Sequence, residues 1–406
     1  NISSYIVKST INVLISPLTK LINKCLMHNI FPDALKISKV IPLHKKGNIF
    51  DVGNYRPISL VPVLGKILEV CMKNQLVDYL ESNQLIHPSQ FGFRHNLSTT
   101  LAVKTICDII LATFESKEYA SVTCYDLSKA FDRVDHDILC TKLKWLSIDQ
   151  NSVTFLESYL RSRCQFVYVN GDKSETTYIK KGVPQGSVLG PILFLIYIND
   201  LPQAAPTGKI TLFADDTTIT NTSDDIAKLS NNDNVSNEYF TRWSLSNKLV
   251  INKDKSQNLI CSLRTLDCKK KSIKLLGIVL DTTLCWNFHV DYILDRIAKN
   301  LFVLRQMHGV VALETLLTVY HSCVGSLISY GILLWGHSPH AARIFSFQRK
   351  CIRVIAGLGY RQECRHVFKD LRILTVPSVY ILHCLMYINS HISEFNTADH
   401  MYMTRS

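Results

Sequence analysis

The chain has 406 residues, of which 47% are hydrophobic and 19% charged, so it can bury a sizeable core, and its length predicts two or three lobes. The formal net charge of +12 favours a polyanionic partner, because lysine and arginine that neutralise phosphates release counterions. The 13 cysteines, without a Cys-x-x-Cys pair, exclude a disulfide framework. The longest apolar runs, at 188–198 and 324–335, are too short to cross a bilayer, so we expect no membrane partner.

The predicted elements begin with a helix over 4–29, where apolar residues recur at helical spacing, and Pro32 ends it. Residues 37–61 predict two strands around a loop that contains Lys45 and Lys46. The remaining predicted elements are helices at 64–82, 98–116, beyond 128 and at 226–243, strands at 120–126, 210–220 and 273–280, a polar loop over 161–182, and mainly helix from 290 onward.

The adjacent carboxylates Asp215 and Asp216 lie at a tight turn between two apolar strands, 210–214 and 217–220. Crowded negative charge is costly unless a cation neutralises it, and hard divalent cations prefer carboxylate oxygen. For this pair alone, the ordinary interpretation is that aspartate is a good turn residue. Asp126 ends another apolar strand. If that strand pairs with the hairpin, three carboxylates meet at one end of a sheet and can hold two metal ions for phosphoryl chemistry.

A turn-rich loop, KGVPQGSVLGP at 181–191, lies between these acidic segments in the sequence. Its glycines permit close backbone approach to a ligand, and Gln185 offers both a hydrogen-bond donor and an acceptor. A purely structural turn needs no glutamine at that point. The loop is therefore predicted to contact a ligand.

The chain carries five ordered motifs: YDLSKAFDRVDH, GVPQGSVLGPILF, FADD, NKLVINKDKS and LLGI. Together they resemble a reverse transcriptase. Four further segments, VIPLHKKGN, NYRPISL, QFGFR and YGILLWG, are similar to those of non-LTR (LINE-type) retrotransposons of the jockey-like kind. The resemblance covers roughly residues 30–395. It implies an α+β chain with the right-hand polymerase fold, which has fingers, a palm with an antiparallel sheet, and a helical thumb.

The resemblance also implies a domain organisation and a cellular context. We expect the chain to be part of a longer protein, because it begins with Asn1 rather than Met. An endonuclease domain is expected outside this chain, and the implied place of action is intracellular, in the nucleus. The implied domains are an N-terminal helical extension at 1–30, fingers and palm at 31–285, a helical thumb and C-terminal region at 286–395, and a tail at 396–406.

The implied reaction is attack of a primer 3′-hydroxyl on the α-phosphorus of a deoxynucleoside triphosphate (dNTP). The partners are an RNA template and a DNA primer and target. The implied cofactor is Mg²⁺, as two ions, with Mn²⁺ as an alternative. In this resemblance Asp126 and Asp215 bridge the ions, Asp216 completes the acidic triad, and the Leu127 carbonyl is a further ligand. Lys255 is the implied proton donor to pyrophosphate, although an exposed lysine is the commoner explanation of it alone.

Phe131 stands five positions after Asp126, where the resemblance places a bulky side chain under the sugar of the incoming nucleotide. An aromatic ring there leaves no room for a 2′-hydroxyl, so a preference for dNTPs is expected. A viral RNA-directed RNA polymerase usually has a glycine before the acidic pair, and Phe131 and Ala214 argue against that class. Another alternative is a nucleic-acid-binding protein that keeps the fold without polymerisation, and the intact acidic triad argues against it. A retroelement remnant that keeps its motifs but has lost activity stays open as a further alternative.

Several further residues are implied to bind substrates. Guanidinium groups suit phosphate because their paired donors match its oxygens. The implied triphosphate-binding residues are Lys45 or Lys46 and Arg56, with Arg94 as a further candidate; Gln185 and Gly186 contact the templating pair and the nucleotide; Leu275, Leu276 and Gly277 form the primer grip; and Arg343, Arg349, Lys350 and Arg353 lie on a thumb helix that binds nucleic acid.

Overall fold

The computed structural model describes residues 2–204, 207–264 and 271–395. The predicted tail at 396–406 lies outside them, and the predicted domain boundaries stay a prediction. Contacts divide the chain into two compact units, which are described separately below. The first unit comprises residues 1–98 and 118–258, and the second comprises 99–117 and 259–406.

The strands form a five-stranded, a four-stranded and a two-stranded sheet within the described residues. Numbered in chain order, they are β1 (Ile37–His44), β2 (Tyr55–Leu60), β3 (Tyr119–Leu127), β4 (Cys164–Val169), β5 (Asp172–Lys173), β6 (Thr177–Tyr178), β7 (Lys209–Phe213), β8 (Asp216–Ser223), β9 (Ile251–Cys261), β10 (Ser272–Leu275) and β11 (Ile278–Asp281).

The α-helices account for most of the remaining described residues. They are α1 (Ser4–Ser9), α2 (Ile11–Met27), α3 (Val63–Ser82), α4 (Thr99–Glu115), α5 (Ala130–Arg133), α6 (His136–Trp145), α7 (Gln150–Leu160), α8 (Gly190–Ile198), α9 (Ile226–Ser246), α10 (Asn287–Met307), α11 (Leu313–Tyr320), α12 (Ser326–Ser329), α13 (Ile332–Trp335), α14 (Ala341–Ile355), α15 (Arg365–Asp370) and α16 (Val376–Ser390). Over the ranges that the structure covers, no helix combines the length and apolar character needed to cross a membrane.

The four-stranded sheet has the order β7-β8-β3-β9, and its first three strands pair antiparallel. The predicted hairpin at 210–220 is confirmed, since Phe213 pairs with Asp216 and two residues connect the strands. On the other side of β8, Tyr125 pairs with Thr217. The residue after Tyr125, Asp126, therefore lies at the same end of the sheet as the turn. The α+β class with an antiparallel sheet is confirmed.

Helix α8 lies in the hydrophobic core of the first unit. Its residues from Ile192 to Ile198 are all buried, which is expected of a helix that is apolar on every side. The Tyr197 hydroxyl, which has no exposure, donates to the carbonyl of Asn247 at 2.6 Å. The buried helix fixes the carboxyl end of the loop at 181–191.

The structure corrects three predicted elements. The region 161–182 is not a loop, because β4 pairs in parallel with β1 and antiparallel with β5 and β6. β4 carries a run of four aromatic and β-branched residues at 166–169, which is a strand signal that the prediction of a polar loop overlooked. The predicted helix at 4–29 is split at Thr10 into α1 and α2, and the strand at 273–280 is a hairpin that turns at Leu276 and Gly277. The predicted helices at 64–82, 98–116 and 226–243, and the mainly helical region after 290, are confirmed.

His289 is the buried titratable group that ties α10 to β11 in the second unit. Its side chain is 1% exposed, and its Nδ1 accepts a hydrogen bond from the Val279 N–H at 3.2 Å. Burial, helped by the positive charge of Lys274, lowers the pKa of His289 to about 4. The imidazole is therefore neutral in the folded chain at neutral pH.

We predict that acid destabilises the protein through His289. The unfolded state binds the extra proton from about pH 6.5 downward and the folded state only near pH 4, so the free energy of unfolding should fall across that window by about 3 kcal/mol in full. In His289→Gln, whose amide oxygen can still accept a hydrogen bond from the Val279 N–H, this pH-dependent loss of stability should disappear. Urea denaturation at a series of pH values between 4 and 7 measures the free energy of unfolding of both proteins. The same dependence on pH in the wild type and the variant would contradict the prediction.

Candidate active site

A cavity of about 630 Å³ in the first unit collects most of the residues that the sequence predicted for the site. It lies where the carboxyl end of β3, the β7–β8 turn, the loop at 181–191 and the β1–β2 connection approach one another. The predicted residues that line it are Lys45, Lys46, Arg56, Asp126, Leu127, Phe131, Gln185, Gly186, Asp215 and Lys255.

The three predicted catalytic carboxylates interact electrostatically. Desolvation raises the pKa of Asp215, and the charge of Asp126 raises it further, while Lys45 and Arg56 act in the opposite direction. Desolvation and the charges of Asp215 and Asp126 raise the pKa of Asp216 to about 6. Each raised pKa means that burial first, and the neighbouring carboxylates second, disfavour the ionised form.

The donor set of this cluster fits a divalent cation, because hard cations such as Mg²⁺ prefer carboxylate oxygens. Added positive charge would also relieve the mutual repulsion of Asp126, Asp215 and Asp216. The Lys255 ammonium already contributes one charge, since its Nζ lies 3.4 Å from Oδ2 of Asp126. Among the described residues, however, no three His, Cys, Asp or Glu side chains are already gathered around a common point in metal-ligand geometry.

Phe131 is held by other aromatic rings at the cavity wall. Its ring stacks on that of Phe194 in the buried helix α8, with centroids 4.5 Å apart, and meets Phe93 edge-on at 6.5 Å. Such contacts restrict the side chain to one orientation. The ring is therefore a fixed steric feature of the cavity.

Gln185 and Gly186 are anchored to β2 and to the segment after β3. The backbone N–H of Ser59 donates to the Gln185 carbonyl at 2.7 Å, and the Gln185 side-chain Nε2 donates to Asp132 Oδ1 at 2.9 Å. Gly186 has φ +111°, and a Cβ there would lie 2.8 Å from the Ser59 carbonyl oxygen. Only glycine allows this approach. With its Nε2 donating to Asp132, Gln185 keeps its Oε1 as a hydrogen-bond acceptor.

Glu69 on α3 is a residue of this site that the sequence analysis missed. Its side chain is completely buried, and its Oε2 accepts from the backbone N–H groups of Val188 at 2.5 Å and Leu189 at 3.2 Å. Burial raises the pKa of Glu69, and these two hydrogen bonds and the charge of Arg163 partly offset that effect. Glu69 thereby fixes the loop that carries Gln185. Its signal in the sequence is slight: one acidic residue among the apolar positions of a helix.

Arg94 is not among the residues that line the cavity. Its guanidinium forms a forked ion pair with Glu81, with Nε to Oε1 at 2.8 Å and the second nitrogen to Oε2 at 2.6 Å. It also donates to the carbonyls of His87 and Gln90. The structure therefore places Arg94 as a brace between the segment at 87–94 and α3.

The predicted primer-grip residues lie in the second unit, where Leu276 and Gly277 form the turn between β10 and β11. Both have positive φ, +46° and +83°. The Tyr330 hydroxyl donates to the Leu276 carbonyl and approaches Thr99 Oγ1 at 3.0 Å. A Cβ at Gly277 would lie 3.1 Å from the Tyr330 ring. The tyrosine of the YGILLWG segment thus supports this turn.

The predicted nucleic-acid-binding residues on α14 differ in their contacts. Arg343 pairs with Asp291 of α10 at 2.7 Å and Arg353 donates to the Gln362 carbonyl at 2.7 Å, so both contribute to packing within the second unit. Cation–π contacts hold the other two: Arg349 lies 5.2 Å from the Phe345 ring centroid, and Lys350 lies 4.0 Å from that of Phe347.

An antiparallel sheet with carboxylates at one end and cations lining the same cavity is the arrangement expected of a nucleotidyl-transferring polymerase. The family model described as reverse transcriptase (RNA-dependent DNA polymerase) matches residues 43–280. The chain therefore belongs to the reverse transcriptase family, and the predicted right-hand polymerase fold is confirmed. The predicted resemblance to non-LTR retrotransposons is confirmed as well by the relatives that follow.

The chain is 31% identical over 381 residues to the RNA-directed DNA polymerase from mobile element jockey of Drosophila melanogaster. The aligned segment covers 88% of this chain and 41% of that protein. It is 31% identical to a probable RNA-directed DNA polymerase from transposon BS of the same organism, over 90% of this chain and 43% of that protein. The chain thus spans about two fifths of the length of these relatives. A structure of apo telomerase from Candida tropicalis shares 14% identity with this chain at a TM-score of 0.46, over 96% of this chain and 72% of that one.

We predict that Glu69→Leu destabilises the first unit. The substitution removes the acceptor of two backbone N–H groups, and each donor left without a partner costs about 1–3 kcal/mol. The free energy of unfolding in urea should fall by about 2–4 kcal/mol. Exposed Glu238→Leu on α9 is the matched control and should change stability by less than about 0.5 kcal/mol. Equal effects of the two substitutions would contradict the role of Glu69.

Proposed function

We propose that this chain is an RNA-directed DNA polymerase of a non-LTR retrotransposon, which extends a primer 3′-hydroxyl with dNTPs on an RNA template. The observation that carries the proposal is the composition of the cavity: Asp126 and Asp215 line it together with Lys45 and Arg56, whose charges act on Asp215. A metal-bound triphosphate has complementary charges, since its cations suit the carboxylates and its phosphate oxygens suit the lysine and arginine.

In the proposed mechanism, Asp126, Asp215 and Asp216, together with the Leu127 carbonyl, are the residues that would hold two Mg²⁺ ions. When bound, such ions lower the pKa of the attacking hydroxyl and neutralise charge on the leaving pyrophosphate. The members of the family generally use divalent metal ions. Lys255 lines the same cavity, and its ammonium would protonate the departing pyrophosphate and screen its charge.

The remaining cavity residues bind and select the nucleotide. Lys45, Lys46 and Arg56 neutralise the triphosphate, and a guanidinium offers paired donors to phosphate oxygens. Phe131 excludes a ribose 2′-hydroxyl, because its ring is fixed by Phe194 and Phe93 and has no hydrogen-bonding group to offer. Gln185 and Gly186 contact the nucleotide and the templating base.

The proposed partners are an RNA template, a DNA primer and a DNA target. Leu275, Leu276 and Gly277 form the primer grip, and the α14 residues Arg343, Arg349, Lys350 and Arg353 contribute to duplex binding. Of these, Arg349 and Lys350 are the better suited, since they contact aromatic rings of their own helix, whereas Arg343 and Arg353 donate hydrogen bonds to Asp291 and to the Gln362 carbonyl. The net charge of +12 supports a polyanionic partner. We propose nuclear action, with target cleavage by an endonuclease domain outside this chain.

Primer extension tests the proposed activity. On poly(rA) primed with oligo(dT), the chain should incorporate dTTP with Mg²⁺ and stop when a chelator removes the metal. Asp215→Asn should reduce the rate by about 10²–10³-fold or more, because it removes preorganised negative charge at the metal site. Exposed Asp224→Asn at the other end of the β8 hairpin is the control and should keep the rate. A folded wild type that binds the duplex yet extends nothing would favour an inactive remnant.

A second prediction concerns sugar selection. Phe131→Ala opens the space beneath the nucleotide sugar and should lower the ratio of kcat/KM for dTTP over UTP by about 10–200-fold. Phe131→Tyr keeps the ring and should retain most of the selectivity. Single-nucleotide incorporation with each substrate measures the ratio. An unchanged ratio in Phe131→Ala would exclude this residue as the determinant of sugar selection.

A further inference from the structure

The turn that carries Asp215 has an unfavourable backbone conformation. It consists of Ala214 and Asp215 between β7 and β8, and Ala214 has φ +55°, in the left-handed region that residues with a Cβ rarely adopt. Such a conformation persists only where the surrounding structure enforces it. The position of Asp215 therefore depends on whatever holds Ala214.

The side chain of Gln90 holds the Ala214 backbone. Its Oε1 accepts hydrogen bonds from the N–H of Ala214 at 3.1 Å and from the N–H of Gly92 at 2.8 Å. Gln90 is 1% exposed, so water does not compete for these bonds. Its Nε2 has no hydrogen-bond partner within the part of the chain that the structure describes, so the orientation of the amide is determined by its oxygen alone.

The backbone around Gln90 is also joined to the hairpin. The Leu212 N–H donates to the Ser89 carbonyl and the Phe91 N–H donates to the Leu212 carbonyl, both at 2.8 Å, and Gln90 forms a parallel bridge with Leu212. Two residues later, Gly92 lies directly against the turn. A Cβ at Gly92 would lie 2.4 Å from the Ala214 nitrogen, closer than atoms can approach.

We propose that Gln90 and Gly92 are positioning residues for the reaction: they clamp the β7–β8 turn so that the Asp215 carboxylate stays beside Asp126, and so set the affinity of the site for a divalent cation. This inference deepens the proposed function and rests on it. Gln90 acts through Asp215 rather than on the substrate. Residues that orient metal ligands typically alter metal affinity or activity by about 10–100-fold when replaced.

A merely structural role of Gln90 would predict something else. Loss of a buried amide would then lower the free energy of unfolding but leave metal binding by the folded protein unchanged. A positioning role predicts weaker metal binding in the folded protein, with a lower kcat and an unchanged KM for dTTP. These two outcomes can be separated because metal binding is measured without substrate.

The test uses Gln90→Met, which is close in size to glutamine but lacks the acceptor oxygen, and Gln90→Glu, which keeps acceptor oxygens. Asn221→Leu is the matched control, because Asn221 is a 1% exposed amide near the far end of the same β8 strand, with bonds to Asp233 at 2.8 Å and Ser236 at 3.1 Å. Urea denaturation gives the stability of each variant, Mn²⁺ titration followed by electron paramagnetic resonance gives the metal affinity, and single-nucleotide incorporation gives kcat and KM.

Gln90→Met should weaken Mn²⁺ binding by about 10–100-fold and lower kcat by a similar factor. Gln90→Glu should recover part of both losses, whereas Asn221→Leu should lose stability and keep wild-type Mn²⁺ affinity. Wild-type Mn²⁺ affinity in a folded Gln90→Met would overturn the inference, whatever its stability.

Gly92→Ala provides a second, independent perturbation of the turn. Its added methyl group must displace the Ala214 backbone, so Mn²⁺ affinity should fall at least as much as in Gln90→Met. If the wild type binds Mn²⁺ and the variants bind it weakly, the positioning role of Gln90 and Gly92 is supported. Failure of the wild type to extend primers in that case would contradict the proposed function alone. If the wild type extends primers and all the variants match it, the inference alone is overturned.

Discussion

The candidate active site depends on the antiparallel register between β3 and β8. Pairing of Tyr125 with Thr217 places Asp126 at the same end of the sheet as Asp215 and Asp216, although Asp126 is distant from them in sequence. A slip of one residue would turn Asp126 to the opposite face. The fully buried Ala120 and Val122 of β3 make such a slip costly. The free energy of burying these apolar side chains thereby offsets the electrostatic repulsion among the three carboxylates.

The segments that carry the proposed chemistry are all held in place by hydrogen bonds from distant parts of the chain. Each is a turn or loop, often with positive φ, that a polar group from a distant segment holds: Gln90 for the β7–β8 turn, Glu69 for the loop after Gln185, and Tyr330 for the turn at Leu276. Loops that must present backbone or carboxylate groups to a ligand cannot bury much apolar surface of their own. Their geometry is therefore fixed by hydrogen bonds from better packed elements.

Much of this arrangement could be predicted from the sequence. The β7–β8 hairpin and the meeting of Asp126 with Asp215 followed from apolar strands that end in carboxylates, and the family resemblance supplied the order of the motifs. Partners distant in sequence could not be predicted, because no local pattern reveals them. Arg94 carries a charge suited to phosphate, yet Glu81 on α3 pairs with it. The apolar run at 166–169 indicates a strand, but its parallel pairing with β1 is not apparent from either segment alone.

If Asp126 and Asp215 form one cation site, the substrate-free chain should bind a divalent metal through both carboxylates. Calorimetric titration with Mn²⁺ should detect binding to the wild type, and both Asp126→Asn and Asp215→Asn should greatly weaken it, because each removes a ligand and part of the negative charge of the same site. Wild-type binding by either folded variant would contradict the account.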